Sequence, residues 1–311
     1  MSSLILLRHI RVENANAVAG LTYGFPAITH FLGYAHALSR RLTETHGLQI
    51  EGCAVVNHKH QIHAHTSGRD YQFALTRNPL TRDAKTAAFN EEGRMHLTVS
   101  LLLECHGEIP NGEYGQRDLA EHLSQVCPTL RLAGGIIVDI AAISVMAMPA
   151  SSKEMRRLQW QLMPGFVLRD RSAWLGEHHQ RLLENTPNAT LLDAWLDFAA
   201  LKMQAETPEE GEIHEGESAR WQYVPKPNPG YLVPVMIGYQ RISPLYAPGV
   251  VANARDANTP FAFTEAVYGM GEWCGLHRIQ SLEEIFWRYR TTETGYYCQG
   301  AGAPVTSDHV N

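Results

Sequence analysis

A strict two-residue alternation of side chains near the middle of the chain limits the possible folds most. Apolar residues occupy every second position from Met95 to Leu103, and His96, Thr98 and Ser100 stand between them. Successive side chains of a strand point to opposite faces of a sheet, so this period indicates a β-strand with one buried face. The chain must therefore build a sheet, and other segments must cover one side of it.

The segments around this strand predict an α+β fold. Leu4–Val12 has the pattern of a strand, an Asn- and Gly-rich loop follows at Asn14–Gly24, and apolar residues recur at helical spacing from Ile28 to Leu42. Further predicted elements are a strand at Gly52–Asn57, a helix near Gln116–Val126 and a strand near Gly135–Val145. The order β-α-β-β-α-β is typical of a ferredoxin-like core, which we expect here.

Two longer segments lie within and after this core. The polar stretch His58–Gly93 is longer than an ordinary connection between neighbouring strands, so we expect it to project from the sheet and to be functional. Residues 151–203 have a helical pattern, with three tryptophans predicted on apolar faces: Trp160, Trp174 and Trp195. Strand patterns return at Tyr231–Tyr239.

Negative charge is concentrated in one short segment. The 311-residue chain has a formal net charge of −6, and six glutamates lie between Gln204 and Ala219 without any lysine or arginine. The other acidic residues (32 less these six) equal the 26 basic residues in number. A run of like charges with Gly and Pro cannot bury itself, so 204–219 is predicted to be a solvated, mobile loop. The basic clusters elsewhere are then available for nucleic acid, although each also fits an ordinary solvated helix face.

Cysteine spacing and hydropathy argue against two classes of protein. The five cysteines are far apart and form no CxxC pair, which argues against a disulfide framework and against a structural zinc site. No run of about 18 apolar residues occurs. The apolar stretch at the start contains charges, which is typical of a strand rather than of a signal peptide. We therefore expect a soluble, cytoplasmic protein.

Four histidines crowd one short stretch: His58, His60, His63 and His65. Alternate residues of a strand share a face, so two of these imidazoles are able to face one metal ion, but a site needs a third ligand and nothing nearby supplies one. Contact with RNA and an inert polar loop are the other interpretations. We expect no metal site.

The segment Leu75–Arg94 has the composition of a phosphate-binding surface. Arg77, Arg82 and Lys85 are interleaved with asparagine and threonine, and Phe89 offers a ring on which a base can stack. A guanidinium group binds phosphate oxygens in a bidentate manner, which makes arginine well suited to RNA. The alternative is a surface hairpin whose arginines pair with its own acidic residues.

Two glycine-rich segments have a less specific meaning. RLAGG at 131–135 and YGMGEWCG at 268–275 would let backbone amides approach phosphate closely, but glycine also forms turns. Neither segment is followed by the GKS or GKT of a P-loop, and the chain contains no GxSxG or HExxH motif. The motifs thus favour binding over catalysis.

Long, ordered blocks of the chain resemble a known family. They span residues 14–42, 75–107 and 230–279, together with RLAGG, and they include NANAVAGLTYGFPAITHFLGYAHALSRRL and LTRNPLTRDAKTAAFNEEGRMHLTVSLLLECHG. These blocks are similar to the Cas-five-type subunit of the type I-F CRISPR surveillance complex, the second-named Csy subunit.

The resemblance implies both an architecture and a function. An RNA-recognition-like (RAMP) palm at 1–150 would carry a thumb at about 58–94, followed by a helical insertion at 151–203, the acidic loop at 204–219 and a β-rich part at 220–311 packed back on the palm. Such a subunit holds the 5′ handle of the CRISPR RNA without cutting it. Its partners would be the large subunit, the terminal backbone subunit and, through the complex, target DNA; no cofactor is implied.

Eight residues are the best candidates for contact with the handle. Arginines neutralise phosphates, while asparagines, aromatic rings and backbone amides read splayed bases. The candidates are Asn14, Asn16 and Tyr23 in the palm loop, Arg77, Asn78 and Arg82 in the thumb-like segment, and Arg131 and Gly134 in the later loop. The alternative function is a metal-independent CRISPR endoribonuclease of the RAMP superfamily, with His9 or His30 as general base.

Overall fold

A computed structural model describes residues 2–206 and 220–300. The strands are β1 (Ser2–Asn16), β2 (Val18–Ala19), β3 (Thr22–Tyr23), β4 (Gln49–Ile62), β5 (Ala64–Thr66), β6 (Tyr71–Arg77), β7 (Phe89–Glu92), β8 (Arg94–His106), β9 (Arg131–Leu132), β10 (Gly135–Ala147), β11 (Phe166–Asp170), β12 (Met203–Ala205), β13 (Trp221–Tyr223), β14 (Tyr231–Arg241), β15 (Thr264–Gly275), β16 (Trp287–Thr291) and β17 (Gly295–Gly300). The α-helices are α1 (Ile28–His46), α2 (Glu113–Val126), α3 (Ser152–Leu162), α4 (Ala173–Asn185) and α5 (Leu191–Ala199).

Four long strands form the N-terminal part of a ten-stranded sheet, in the spatial order β4-β8-β1-β10. All neighbouring pairs among them are antiparallel. Helix α1 connects β1 to β4, and α2 lies between β8 and β10 along the chain. The fold thus combines helices with a large antiparallel sheet on which they pack. Helix α1 continues past the predicted Leu42 as far as Gly47, whose left-handed conformation (φ 67°) ends the helix.

The central strands are buried on both faces. Ile5 and Leu7 of β1 belong to a core shared with α1 and α2, whereas Leu4 and Leu6 pack with α3 and with the C-terminal segment around Phe286. The second half of β8 is buried in the same way, and Ser100 is fully inaccessible. The predicted polar face is therefore right only for the first half of β8, because α3 and the C-terminal segment cover the rest.

The C-terminal strands extend the same sheet and close part of it. From β4 the order continues β16-β17-β14-β15-β11, and β11 pairs again with β4, so that six strands form a ring. The fully buried Trp287 braces this ring, because its Nε1–H donates to the carbonyl of Leu168 at 3.0 Å. Strand β4 thus belongs to both halves of the chain.

The projecting segment begins later than its sequence indicates. Strand β4 does not end at Asn57 but pairs with β8 as far as Ile62, opposite Met95. The chain then forms a separate three-stranded sheet in the order β5-β6-β7. Most side chains of this sheet are exposed, so it stands away from the core; we call it the thumb sheet.

The segment after the core is not purely helical. Strand β11 lies between α3 and α4, and capping boxes at Ser151 and Thr190 start α3 and α5. Trp174 and Trp195 pack beside buried Phe198, as predicted, but Trp160 is 72% exposed, so its predicted apolar contact is wrong.

The predicted acidic loop lies mostly outside the described residues. Its first two residues, Gln204 and Ala205, belong to β12 and pair with β13, and residues 207–219 are not described. Within residues 2–206 and 220–300, no helix is both long and apolar enough to span a bilayer.

Candidate nucleic-acid interface

The predicted loop at 14–24, called the palm loop here, is partly strand, because β1 continues to Asn16 and β2 pairs with β3. It lies against the glycine-rich hairpin at 131–135. The backbone N–H of Asn16 donates to the carbonyl of Ala133 at 2.8 Å. A Cβ atom on Gly135 would stand 2.7 Å from the carbonyl oxygen of Glu13 and 2.8 Å from the nitrogen of Ala15. Only glycine permits this close approach. The fold thus places two segments together that are more than a hundred residues apart in the sequence.

Arg131 and Gly134 belong to a tight hairpin that joins β9 to β10. Its two central residues, Ala133 (φ 51°) and Gly134 (φ 76°), have the left-handed conformation that a type I′ turn requires. Arg131 is exposed, and its guanidinium group approaches the carbonyl of Gly134 at 3.4 Å. The hairpin therefore presents a solvated cation next to the palm loop.

The two asparagines of the palm loop have different environments. The side-chain amide of Asn16 accepts from the backbone N–H of Val18 at 3.1 Å and donates to its carbonyl at 2.8 Å, so it mainly stabilises the loop. Asn14 is exposed and also has a positive φ (54°), and its backbone contacts His96 and Arg94 of β8. Of the two side chains, that of Asn14 is the more accessible to a ligand.

Tyr23 connects the palm loop to the thumb sheet. Its ring is 56% exposed and meets Phe73 of β6 edge to face, with 5.3 Å between the ring centroids. The backbone N–H of Ala17 also donates to the carbonyl of Gly93 at 2.9 Å. The base of the thumb sheet is thus fixed to the loop that carries the predicted RNA-binding residues.

The outer part of the thumb sheet combines cations with exposed rings. The guanidinium carbon of Arg77 lies 4.8 Å from the centroid of the Phe89 ring, directly across the β6–β7 ladder. Phe89 and Tyr71 are mostly exposed. Asn78 directly follows β6, and Arg82 lies in the turn that Thr81 closes with the carbonyl of Lys85 at 2.8 Å.

The charge pairing at the thumb sheet is selective. Arg94, the first residue of β8, forms an ion pair with Glu92 of β7 at 2.6 Å, as expected for a self-compensated hairpin. Among the described residues, by contrast, no carboxylate lies within ion-pair distance of Arg77 or Arg82. Their positive charges therefore remain available to an anionic ligand.

The histidine-rich segment does not form a single centre. His58 stacks on His9, with 4.1 Å between the ring centroids, and its Nδ1–H donates to the carbonyl of Pro164, while Nε2 accepts from the Ser100 hydroxyl, both at 2.7 Å. His60 contacts Asn57 instead, and His63 contacts His96. Over residues 2–206 and 220–300, no three potential ligands come together around one point.

The two histidines that the alternative function invokes have separate surroundings. Burial, followed by the charge of Arg8, lowers the pKa of His9, whose φ is positive (48°) at a bulge of β1. Burial also lowers the pKa of His30, whose Nε2 lies 3.4 Å from the Asn16 amide nitrogen. Both imidazoles are therefore neutral near pH 7.

The second glycine-rich segment is a strand, not a loop. It lies within β15, where Gly269 and Gly271 give room to Ser172, Val235 and Leu168. Its tryptophan, Trp273, instead lines a cavity of about 520 Å³ together with Tyr23, Phe25 and Tyr231. This aromatic cavity beside the palm loop could not be predicted, because its walls come from five separate parts of the chain.

Comparison with known proteins agrees with the sequence resemblance. The family model of the CRISPR-associated protein Cas_Csy2 matches residues 5–298. The CRISPR-associated protein Csy2 of Pseudomonas aeruginosa (strain UCBPP-PA14) is 39% identical over 299 residues, which cover 92% of this chain and 90% of that protein. The prediction of a Csy subunit of the type I-F system is thereby confirmed. The chain belongs to the Csy2 family of CRISPR-associated proteins.

Proposed function

We propose that this chain is the Cas-five-type subunit of the type I-F surveillance complex and holds the 5′ handle of the CRISPR RNA without cleaving it. Its membership in the Csy2 family supports a place in that complex. The strand order β4-β8-β1-β10, with α1 and α2 on one face, supports a ferredoxin-like, RRM-type palm. The thumb sheet corresponds to the predicted projecting arm.

The uncompensated cations of the thumb sheet carry this proposal. Arg77 and Arg82 have no described carboxylate partner, and Phe89 and Tyr71 lie exposed on the same small sheet. Single-stranded RNA offers phosphates to such cations and unpaired bases to such rings. A self-compensated structural hairpin would have paired its arginines, as Arg94 is paired.

The palm loop and the hairpin supply the second part of the binding surface. Exposed Asn14 offers an amide to base edges, Tyr23 offers a ring, and Arg131 offers a further cation. Asn16, through its side-chain amide, and Gly134, through its left-handed backbone, hold their loops in place. The handle would run from this loop onto the thumb sheet, because the Tyr23–Phe73 contact joins the two.

The remaining partners and the compartment follow from the same proposal. The large subunit and the terminal backbone subunit contact this chain, and target DNA comes near it through the complex. We place the protein in the cytoplasm. The thiols support this: all five cysteines, Cys53, Cys105, Cys127, Cys274 and Cys298, are free and buried, as is usual in a reducing compartment.

Removing both thumb cations tests the proposal. We expect Arg77→Ala with Arg82→Ala to weaken binding of a handle-containing RNA by about tenfold for each lost charge-assisted contact. The slope of log affinity against log salt should also fall by about 1.4, since each phosphate contact on a single strand contributes about 0.7. The measurement is a salt titration of RNA binding to the chain.

The matched control removes two exposed arginines elsewhere. Arg117→Ala with Arg157→Ala, on α2 and α3, changes the net charge equally but should leave both affinity and slope unaltered. Equal effects of the two double variants would refute a specific role for the thumb. Cleavage of repeat RNA by the purified chain, abolished by His9→Ala or His30→Ala, would instead establish the endoribonuclease.

A further inference from the structure

The outer edge of β10 is open over most of its length. One side of the strand pairs with β1, whereas β9 covers only Gly135 and Ile136 on the other side. In the described part of the chain, no strand pairs with the outer side of Ile137–Ala147. Backbone N–H and C=O groups that alternate along this stretch therefore point outward without a ladder partner.

The sequence of this edge contains few of the features that protect exposed strands. Natural proteins blunt open edges with lysine, proline, bulges or short strands. Residues 137–147 read IVDIAAISVMA, with no Lys, Arg, Pro or Gly, with Asp139 as the only charge and with a single bulge at Val138. Such a long edge, rich in Ile and Val, promotes aggregation unless another strand covers it.

A groove beside the edge has space for side chains of an additional strand. It lies between α2 and β10, has a volume of about 510 Å³ and includes the apolar side chains of Pro128, Val138 and Ile143. Two carboxylates, those of Glu121 and Asp139, also line it, and no basic residue does. This charge disfavours RNA and favours a segment that carries a lysine or arginine.

We propose that the β10 edge binds an extended segment of a partner protein, which adds a strand beside Ile137–Ala147 and places a basic side chain next to Glu121 and Asp139. Backbone hydrogen bonds supply the affinity, and alternate apolar side chains of the segment fill the groove. The inference rests on the proposed function in one respect, namely that the partner is a protein subunit of the same complex. It involves neither the palm loop nor the thumb sheet.

Two lysines on the edge test this docking site. Val138→Lys with Ala141→Lys should block strand addition, since charged side chains on an edge oppose pairing. Both positions are exposed, so we expect the melting temperature to stay close to that of the unaltered chain. After co-expression with the other subunits and a guide transcript, the tagged edge variant should co-purify with at least about tenfold less of one protein subunit than the unaltered chain does.

The control adds the same two charges elsewhere. Gln125→Lys and Gln180→Lys lie on exposed positions of α2 and α4 outside the groove and should leave the complex intact. RNA binding by the isolated edge variant should be unchanged, whereas the Arg77 and Arg82 variant should bind RNA more weakly. The two proposals therefore fail separately.

Hydrogen–deuterium exchange gives a second readout. We expect outward amides within Ile137–Ala147 to exchange rapidly in the isolated chain and slowly in the assembled complex. Equal exchange in both would overturn the proposal. Protection in the isolated chain would also overturn it: loss of that protection on dilution would identify a second copy as the occupant, and loss on truncation after Gly300 would identify the chain's own last residues.

Discussion

His58 illustrates, at the scale of a residue, how a side chain from a suggestive motif serves the fold. A carbonyl only accepts hydrogen bonds, so the contact with Pro164 fixes the proton on Nδ1 and leaves Nε2 to accept from Ser100. Burial lowers the pKa of His58, and the charges of His9 and Arg8 act in the same direction. The neutral form is therefore the one that the folded protein requires.

This requirement predicts a pH dependence of stability. The unfolded chain binds a proton on His58 at about pH 6.5, but the folded chain does so only at lower pH. The contribution of His58 is thus complete above about pH 6.5 and is lost as the pH falls through the folded pKa. We expect His58→Gln to be less stable than the unaltered chain at pH 8 and to lose less stability on acidification to pH 5.

Urea unfolding of both chains at several pH values measures this difference. Other histidines with lowered pKa, among them His9, His30, His46 and His63, remain in the variant, so its profile keeps part of the slope. Parallel profiles for the two chains would show that His58 does not titrate in this way.

The surroundings of the thumb arginines agree with their predicted role more closely than those of two loop residues do, while contact with RNA stays a prediction for all of them. Arg77 and Arg82 have no carboxylate within ion-pair distance among the described residues, so their charges are free for an anion. Asn16 and Gly134 were selected for contact with RNA, yet their hydrogen bonds and dihedral angles serve the loops themselves. The sequence is the same whether the side chain of an asparagine hydrogen-bonds within its own turn or is free to bind a ligand.

At the scale of elements, the period of the apolar residues was informative where one face is solvated. It located β8 and α1, but it missed the last part of β4, because the residues there are polar and only one edge of that stretch pairs with β8. The glycines at 268–275 suggested a loop, whereas in β15 they provide space for neighbouring side chains. Local sequence does not reveal such neighbours.

The contact between Tyr23 and Phe73 predicts an energetic coupling between the palm loop and the thumb sheet. An edge-to-face pair contributes about 0.5–1.5 kcal/mol beyond its buried area. We expect a double-mutant cycle of Tyr23→Ala and Phe73→Ala to give a coupling of that size in unfolding experiments. The same cycle with Tyr71→Ala, an exposed ring on the same strand, should give a value near zero, and equal couplings would contradict the contact.

At the scale of the whole molecule, the shared strand β4 predicts cooperative unfolding. Pairing of Cys53 with Trp287, and of Val56 with Val167, joins the early strands to the late ones. We expect Trp287→Ala to cost about 3–5 kcal/mol and to lower the stability of both halves together. Near-ultraviolet circular dichroism and amide exchange in β1 should report one common transition.

The contrary result is well defined. If amides of β1 stay protected at temperatures where the tryptophan signal is lost, the halves unfold independently.

The closure of the six-stranded ring could not be predicted from the sequence, because strand patterns show which segments form strands but not which strands pair with each other. The helices and the first strands are local features, whereas the ring depends on contacts between distant segments.

The ring also has a consequence for synthesis of the protein. More than two hundred residues separate Cys53 from Trp287, so the part of β4 that β16 covers has no partner on that edge until nearly the whole chain has left the ribosome. At roughly 5–20 residues per second, that interval lasts tens of seconds. Pairing over such a distance is intrinsically slow and leaves the nascent chain open to wrong associations. Translation speed and chaperone supply should therefore govern the yield of native protein.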